Sequence, residues 1–158
     1  MIETNDYIYI NGFKIEIKVI SHKFNLEPII FLHEGLGSIA LWKDFPLRVA
    51  KATGRDIILY SRIGMGKSSA IKENRKLSYM HDEAKIYLPQ IIKYLNLPEV
   101  ILFGHSDGAS IALIYAGSGF KVKSLILEAP HVFVEDISIN GIKIAKKAWD
   151  NNNLKDKL

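Results

Sequence analysis

The hydrophobic pattern of the chain changes from alternating to continuous near residue 28. Before that point, residues 7–10 and 13–20 form two β-rich runs joined by Asn11-Gly12, a dipeptide typical of tight hairpin turns. In the second run, apolar residues at odd positions alternate with charged residues at even positions from Phe13 to Val19. One face of that strand is therefore predicted to be buried and the other wet, and the chain is predicted to open with a β-hairpin.

Later in the chain, four short runs are continuously apolar. They occupy residues 28–32, 57–60, 100–103 and 125–127. Strands that helices cover on both faces have this composition, which is typical of a parallel sheet. The four runs therefore predict strands of one buried parallel sheet.

Helical signals fill the gaps between these runs. Asp44 can cap a helix that ends at Gly54, Ser78 can cap a helix that Pro89 should kink, and a third helix is predicted from Ser106 to Gly117. The alternation predicts an α/β fold, a three-layer α/β/α sandwich with a mostly parallel sheet and an N-terminal hairpin. Residues 1–131 are predicted to form this core. Residues 132–158, with apolar side chains at helical spacing, are predicted to begin lid or cap helices and to leave them incomplete.

Composition and charge indicate which partners, cellular location and cofactors to expect. The formal charge of +4 comes largely from lysines near the C-terminus, and no aromatic residues interleave with them, so nucleic acid is not an expected partner. No apolar run approaches the ~18 to 20 residues that a membrane span needs. The absence of cysteine and of a signal-peptide pattern predicts a cytoplasmic protein. No pattern for a metal, nucleotide or flavin is visible, so no cofactor is expected.

One pentapeptide contains a candidate catalytic residue. Residues 104–108 read Gly-His-Ser-Asp-Gly, which matches G-x-S-x-G, and they lie between an apolar strand and a helical run. In a sharp strand-to-helix turn, side chains two residues before and after the serine would collide, which explains the two glycines. The context predicts that Ser106 is a nucleophile, held on strained backbone above a helix N-terminus.

A glycine-bearing loop, His33-Glu34-Gly35-Leu36-Gly37-Ser38, follows the first buried strand. A backbone N–H of Gly35 or Leu36, together with the N–H of Asp107, is predicted to hold an oxyanion. Gly66-Lys67-Ser68 also fits the end of a phosphate-binding loop, but that motif needs a glycine where Ser61 stands and a helix at once.

Taken together with residues 60–68, these motifs make the chain similar to the α/β-hydrolase family. Over residues 7–135 it resembles the esterase and C–C hydrolase branch, which reads H-G-x-x-G-S, then D-R-x-G-x-G-x-S, then G-x-S-x-G. Glu34 replaces the usual glycine and Ser61 the usual aspartate. The resemblance implies an eight-stranded fold, of which about six strands are expected here, and hydrolysis of an ester or related acyl bond of a small-molecule substrate through an acyl-enzyme. It also implies that His33 braces its loop by hydrogen bonding rather than binding a metal.

The resemblance also implies a catalytic acid and histidine beyond the last strand of this chain, so the sequence predicts a truncated hydrolase. His131 is the sole histidine after Ser106, and it is expected to line the pocket rather than to act as the base. Glu128 is expected to be a buried, hydrogen-bonded residue, with the catalytic acid as its alternative role. A non-catalytic remnant or ligand-binding module is the alternative function. The sixth strand is expected to expose an edge open to a second or swapped copy.

Overall fold

Six strands form one sheet in the computed structural model, which describes residues 1–22, 26–71 and 73–151. The strands are β1 (Ile2–Ile10), β2 (Phe13–Ser21), β3 (Ile29–Leu32), β4 (Ile57–Tyr60), β5 (Ile101–His105) and β6 (Ser124–Glu128). Their order in the sheet is β1-β2-β4-β3-β5-β6. The first two strands form an antiparallel hairpin that joins β4 antiparallel, and β4, β3, β5 and β6 run parallel. The predicted hairpin and parallel sheet are confirmed.

The helices occupy the connections as the sequence indicates. They are α1 (Phe45–Thr53), α2 (Tyr79–Asp82), α3 (Leu88–Tyr94), α4 (Asp107–Gly117) and α5 (Asp136–Asn151), with a 3₁₀ turn at Ile39–Trp42. Gly54 ends α1 in the left-handed region at φ 67°, which a glycine adopts without steric cost.

Pro89 disturbs its helix more than a simple kink would. A π-helical segment, Glu83–Tyr87, separates α2 from α3 immediately before the proline. Proline has no N–H to donate to the preceding turn, and a π-helical insertion is one way in which a helix absorbs that missing bond. The segment places Glu83 in the protein interior.

Two apolar clusters line the two faces of the sheet, as a three-layer sandwich requires. Alternate residues of the central strands point in opposite directions, so Ile30 and Leu32 belong to one cluster while Ile29 and Phe31 belong to the other. Side chains of α3 and α4 pack in the first cluster, and Ala50 of α1 packs in the second. The predicted α/β/α fold is confirmed.

The strand β6 is less covered than its sequence predicts. Its residues alternate between exposed and half-buried, and Ile126 is 44% exposed. The expectation that helices cover this strand on both faces is therefore wrong, because Leu125 and Leu127 pack against the core on one face while Ile126 on the other face is exposed. Among the described residues, β6 pairs with β5 on one side and has no strand on the other. Pairing of this edge with a second copy stays a prediction. No helix in the described ranges has the length and apolarity needed to cross a membrane.

Candidate active site

Ser106 occupies the turn between β5 and α4. Its backbone has φ 54° and ψ −118°, a conformation that non-glycine residues rarely adopt, so the predicted strained turn is confirmed. The backbone packing leaves no room for side chains at the flanking glycines. A Cβ at Gly104 would lie 2.4 Å from the Gly108 carbonyl oxygen, and a Cβ at Gly108 would lie 1.9 Å from the Leu32 carbonyl oxygen. The two glycines therefore let α4 start directly against β3 and β5.

The side chain of His131 lies beside Ser106. The Oγ of Ser106 is 2.8 Å from the Nε2 of His131, a hydrogen-bond distance. His131 follows β6 by three residues, and the turn includes Ala129 at φ 49°. The sequence favoured a pocket-lining role for this histidine, whereas the structure places it against the serine hydroxyl.

Ser110, one helical turn after Ser106 on α4, fixes the backbone of His131. Its Oγ accepts a hydrogen bond from the N–H of His131 at 2.9 Å and donates one to the carbonyl oxygen of His131 at 3.0 Å. Ser110 is buried, which limits the competition from water for these two bonds. Helix α4 thus anchors the backbone of His131 through Ser110, and Ser106 stands at the N-terminus of the same helix.

A carboxylate that would orient the imidazole is not present in the described part of the chain, where no ion pair or hydrogen bond joins an acidic side chain to His131. Glu128 does not fill this position. The expectation that its side chain is buried and hydrogen-bonded is wrong, because it ends an edge strand and is exposed. Its contribution is its backbone carbonyl oxygen, which accepts a hydrogen bond from the N–H of Ser106 at 2.9 Å.

The Gly35 loop and the start of α4 lie at the same edge of the sheet, because β3 and β5 are parallel neighbours with Leu32 opposite Gly104. The carboxylate of Asp107 packs directly on Gly35, where an added Cβ would lie 2.9 Å from Oδ2. The same Oδ2 accepts a hydrogen bond from the hydroxyl of Tyr79. Gly35, Leu36 and Asp107 line one cavity of about 640 Å³, with side chains of α5 on its far side.

Hydrogen bonds of His33 and Arg62 hold the Gly35 loop in place. The Nδ1 of His33 donates to the Glu34 carbonyl oxygen at 2.8 Å, and its Nε2 accepts from the N–H of Arg62 at 3.1 Å. The guanidinium of Arg62, fully buried, donates to the carbonyl oxygens of His33 and Glu34, each at 2.6 Å. Burial, reinforced by the charge of Arg62, lowers the pKa of His33 to about 3. His33 is therefore a neutral brace with both nitrogens occupied, as the sequence predicted.

The structure shows the contacts of Ser61 and Glu34, the two residues that depart from the family pattern. Ser61 donates to the Oε2 of Glu16 at 2.7 Å and accepts from the N–H of Ile39 at 3.1 Å. A carboxylate on β2 thus contacts position 61, at which the family pattern has an aspartate. The carboxylate of Glu34 covers Gly37, and its Oε2 lies 3.9 Å from the Nδ1 of His105. His105 also makes an edge contact with Trp42.

The phosphate-loop alternative for Gly66-Lys67-Ser68 finds no support. The next helix, α2, begins at Tyr79 rather than directly after the motif. The hydroxyl of Ser68 accepts from the N–H of Glu16 at 2.9 Å and donates to the carbonyl oxygen of Ser61 at 2.6 Å, so it is part of the same turn.

Sequence reasoning missed Ser110, Tyr79 and Arg75. For Ser110 a signal exists, because a polar residue four positions after Ser106 shares its helix face while that helix is otherwise apolar there. For Tyr79 and Arg75 no local pattern identifies the contact. Their positions depend on how residues 73–82 pack against the start of α4.

Comparisons with known proteins identify the family of the chain. The alpha/beta hydrolase fold family matches residues 27–155, so the chain belongs to the α/β-hydrolase family. It is 32% identical to a proline iminopeptidase of Lactiplantibacillus plantarum over 74% of this chain, and 33% identical to one of Heyndrickxia coagulans over 80%. These alignments cover 41% and 43% of the two relatives, so the chain spans less than half of their length.

Solved structures show the same fold. A carboxylesterase structure from Nitrososphaera gargenis matches with a TM-score of 0.78 at 17% identity, covering 95% of this chain and 55% of that one. A proline iminopeptidase-related protein of Thermus thermophilus matches with a TM-score of 0.68 at 21% identity, covering 82% and 45%. The chain is thus an α/β-hydrolase with peptidase-named and esterase-named relatives.

Proposed function

We propose that this chain provides the nucleophilic half of a serine hydrolase that cleaves an ester or related small-molecule acyl bond. The observation that carries the proposal is the 2.8 Å contact between the Ser106 Oγ and the His131 Nε2, made at a strained strand-to-helix turn. A serine hydroxyl becomes a competent nucleophile when a neighbouring base accepts its proton, and a histidine at this distance can do so.

In the proposed mechanism, Ser106 Oγ attacks the acyl carbon while its proton passes to Nε2 of His131. The N–H of Asp107 and an N–H of Gly35 or Leu36 hold the developing oxyanion. His131 then returns the proton to the leaving group. Water clears the acyl-enzyme, with His131 again accepting a proton. The brace of Arg62 and His33 keeps the Gly35 loop in position for the oxyanion.

The turnover rate expected of the chain depends on whether a carboxylate orients the imidazole of His131. With no described carboxylate to orient the imidazole, turnover should fall about 10⁴-fold below that of a complete triad. Ser110 offsets part of this deficit because it holds the backbone of His131 and so limits the positions that the imidazole can sample. Slow but measurable turnover is therefore expected.

Hydrolysis of 4-nitrophenyl esters by the wild type, Ser106→Ala and His131→Ala tests the proposal. Turnover that both substitutions abolish would support a Ser106–His131 pair. Turnover lost with Ser106 alone would assign the base to another chain or a swapped copy and would overturn the role of His131. Ser118→Ala, on the exposed end of the same helix, is the matched control because its hydroxyl bonds only to the Ile114 carbonyl oxygen among the described residues.

A non-catalytic ligand-binding module is the alternative. The exposed position of His131 and the lack of a described carboxylate beside it favour this reading. In that case the wild type would show no turnover above Ser106→Ala, while ligands would still bind in the cavity.

A further inference from the structure

Arg75 presents a positive charge to the cavity that Asp107, the residue after the nucleophile, also lines, and no carboxylate in the described part of the chain forms an ion pair with it. It lies just before α2, is half-buried, and lines the same cavity as Gly35 and Asp107. Its Nη2 donates to the carbonyl oxygen of Ile63 at 3.0 Å, and its guanidinium carbon lies 5.4 Å from the centroid of the Tyr79 ring. These two contacts fix the guanidinium in place.

Within the residues that the structure describes, the charge of this guanidinium is not neutralised by a carboxylate in contact with it. Among the described residues no acidic side chain forms an ion pair with Arg75, and one of its five N–H donors has a partner. The carboxylate of Asp107, on the same cavity wall, accepts from the hydroxyl of Tyr79 instead, and it acts on Arg75 only at longer range, as Glu83 does. Burial, together with the like charge of Arg62, outweighs these two carboxylates and lowers the pKa of Arg75. A partly desolvated cation in this situation is stabilised when an anion binds to it.

The rest of the cavity suits a hydrocarbon chain. Leu36, Met65, Ile142 and Trp149 supply apolar surface around the charged groups. Lys146 adds a second positive charge on the side of α5. An acyl group that ends in an acid would place methylenes against these side chains and its anion against Arg75.

We infer that Arg75 recognises a carboxylate at the far end of the acyl group, so that the substrates are esters or related derivatives of dicarboxylic acids. This inference rests on the proposed function for the position of the scissile bond. It assigns to Arg75 a binding role that is separate from the chemistry of Ser106. Because guanidinium and carboxylate pair through two parallel hydrogen bonds, lysine should replace Arg75 only in part.

Two matched ligands test the inference without turnover. Monomethyl glutarate ends in a carboxylate, whereas methyl pentanoate has the same chain length and ends in a methyl group. Their binding to Ser106→Ala is measured by calorimetry, with tryptophan fluorescence as a second readout because Trp149 lines the cavity. Monomethyl glutarate should bind about tenfold or more tightly, and Arg75→Gln should remove that preference while Arg75→Lys retains part of it. Arg48→Gln, an exposed cation on α1, should change nothing.

Measurements of turnover provide a second test of the same inference. The wild type is assayed with the 4-nitrophenyl monoester of glutaric acid and with 4-nitrophenyl pentanoate. Arg75→Gln should raise KM for the glutarate ester with little change in kcat. If neither ester is hydrolysed but the binding preference persists, the proposed reaction fails and the anion site stands. If both esters react equally and both ligands bind equally, the anion site is wrong and the reaction stands. Loss of the preference in Lys146→Gln but not in Arg75→Gln would also overturn the assignment.

Discussion

Ser110 and His131 form a reciprocal pair in which one hydroxyl both accepts from the N–H and donates to the carbonyl of the same residue, at 2.9 and 3.0 Å. Because Ser106 caps the N-terminus of α4 and Ser110 lies in its first turn, one helix positions both the candidate nucleophile and the anchor of the candidate base. The distance between Ser106 and His131 is therefore set by α4 and by the hydrogen bonds of Ser110. No acidic partner is needed to define it.

Replacing Ser110 by alanine should release His131 without touching either reacting group. We expect Ser110→Ala to lower kcat for aryl esters by about tenfold to a hundredfold, since misplacement of a catalytic group by ~1 Å has that effect. KM should change little. Ser118→Ala on the same helix is the control and should leave kcat unchanged. If Ser110→Ala retains the wild-type kcat, the two hydrogen bonds do not position His131.

Arg62 should be the least replaceable residue of the Gly35 loop. Lysine cannot donate to the carbonyl oxygens of His33 and Glu34 in the same forked geometry, and each buried acceptor left unpaired costs about 1–3 kcal/mol. We expect Arg62→Lys to lower the free energy of unfolding by roughly 2–4 kcal/mol in urea titrations. Arg48→Lys, exposed on α1, should have no effect. Equal stabilities of the two variants would contradict the proposed brace.

His33 and Glu83 should make opposite contributions to the pH dependence of stability. Burial lowers the pKa of His33 from 6.5 to about 3, so its contribution is complete above pH 6.5 and is lost as the pH falls towards 3. Burial raises the pKa of Glu83 from 4.5 to about 7, so its contribution is complete below pH 4.5 and is lost as the pH rises through 7. Between pH 4.5 and 6.5 the two effects oppose each other.

Glu83→Gln isolates the contribution of His33. In that variant the free energy of unfolding should rise with pH between 4.5 and 6.5 more steeply than in the wild type, by up to about 1.4 kcal/mol per pH unit. Urea titrations across this range measure the difference. Glu73→Gln removes an exposed carboxylate nearby and should keep the wild-type slope. Parallel curves for the wild type and Glu83→Gln would show that Glu83 does not take up a proton in the folded state.

Local chemistry explains which parts of the molecule the sequence could predict. Asn11-Gly12 and the elbow around Ser106 were predictable because positive φ angles and close backbone approach restrict which residues fit. The exposure of Glu128 was not, because coverage of an edge strand depends on what lies beside it rather than on its own residues. The approach of His131 to Ser106 depends on the turn at Ala129 and on Ser110, residues that carry no motif.

The glycine at position 108 gives the sharpest test of the elbow. A Cβ there would lie 1.9 Å from the Leu32 carbonyl oxygen and 2.8 Å from that of His33, and both are backbone atoms that cannot rotate away. Gly108→Ala must therefore displace α4 from β3, which also separates Ser106 from the Gly35 loop. We expect a loss of at least about 3 kcal/mol in the free energy of unfolding, or failure to fold.

Gly117→Ala is the matched control, because it lies on the same helix and an added Cβ meets nothing within 4 Å. It should be neutral or stabilise the protein by up to about 1 kcal/mol, since alanine favours helix over glycine. Urea unfolding of both variants, followed by circular dichroism, measures the difference. If Gly108→Ala were as stable as Gly117→Ala, α4 would not lie against β3 as described, and the placement of Ser106 beside the Gly35 loop would be wrong.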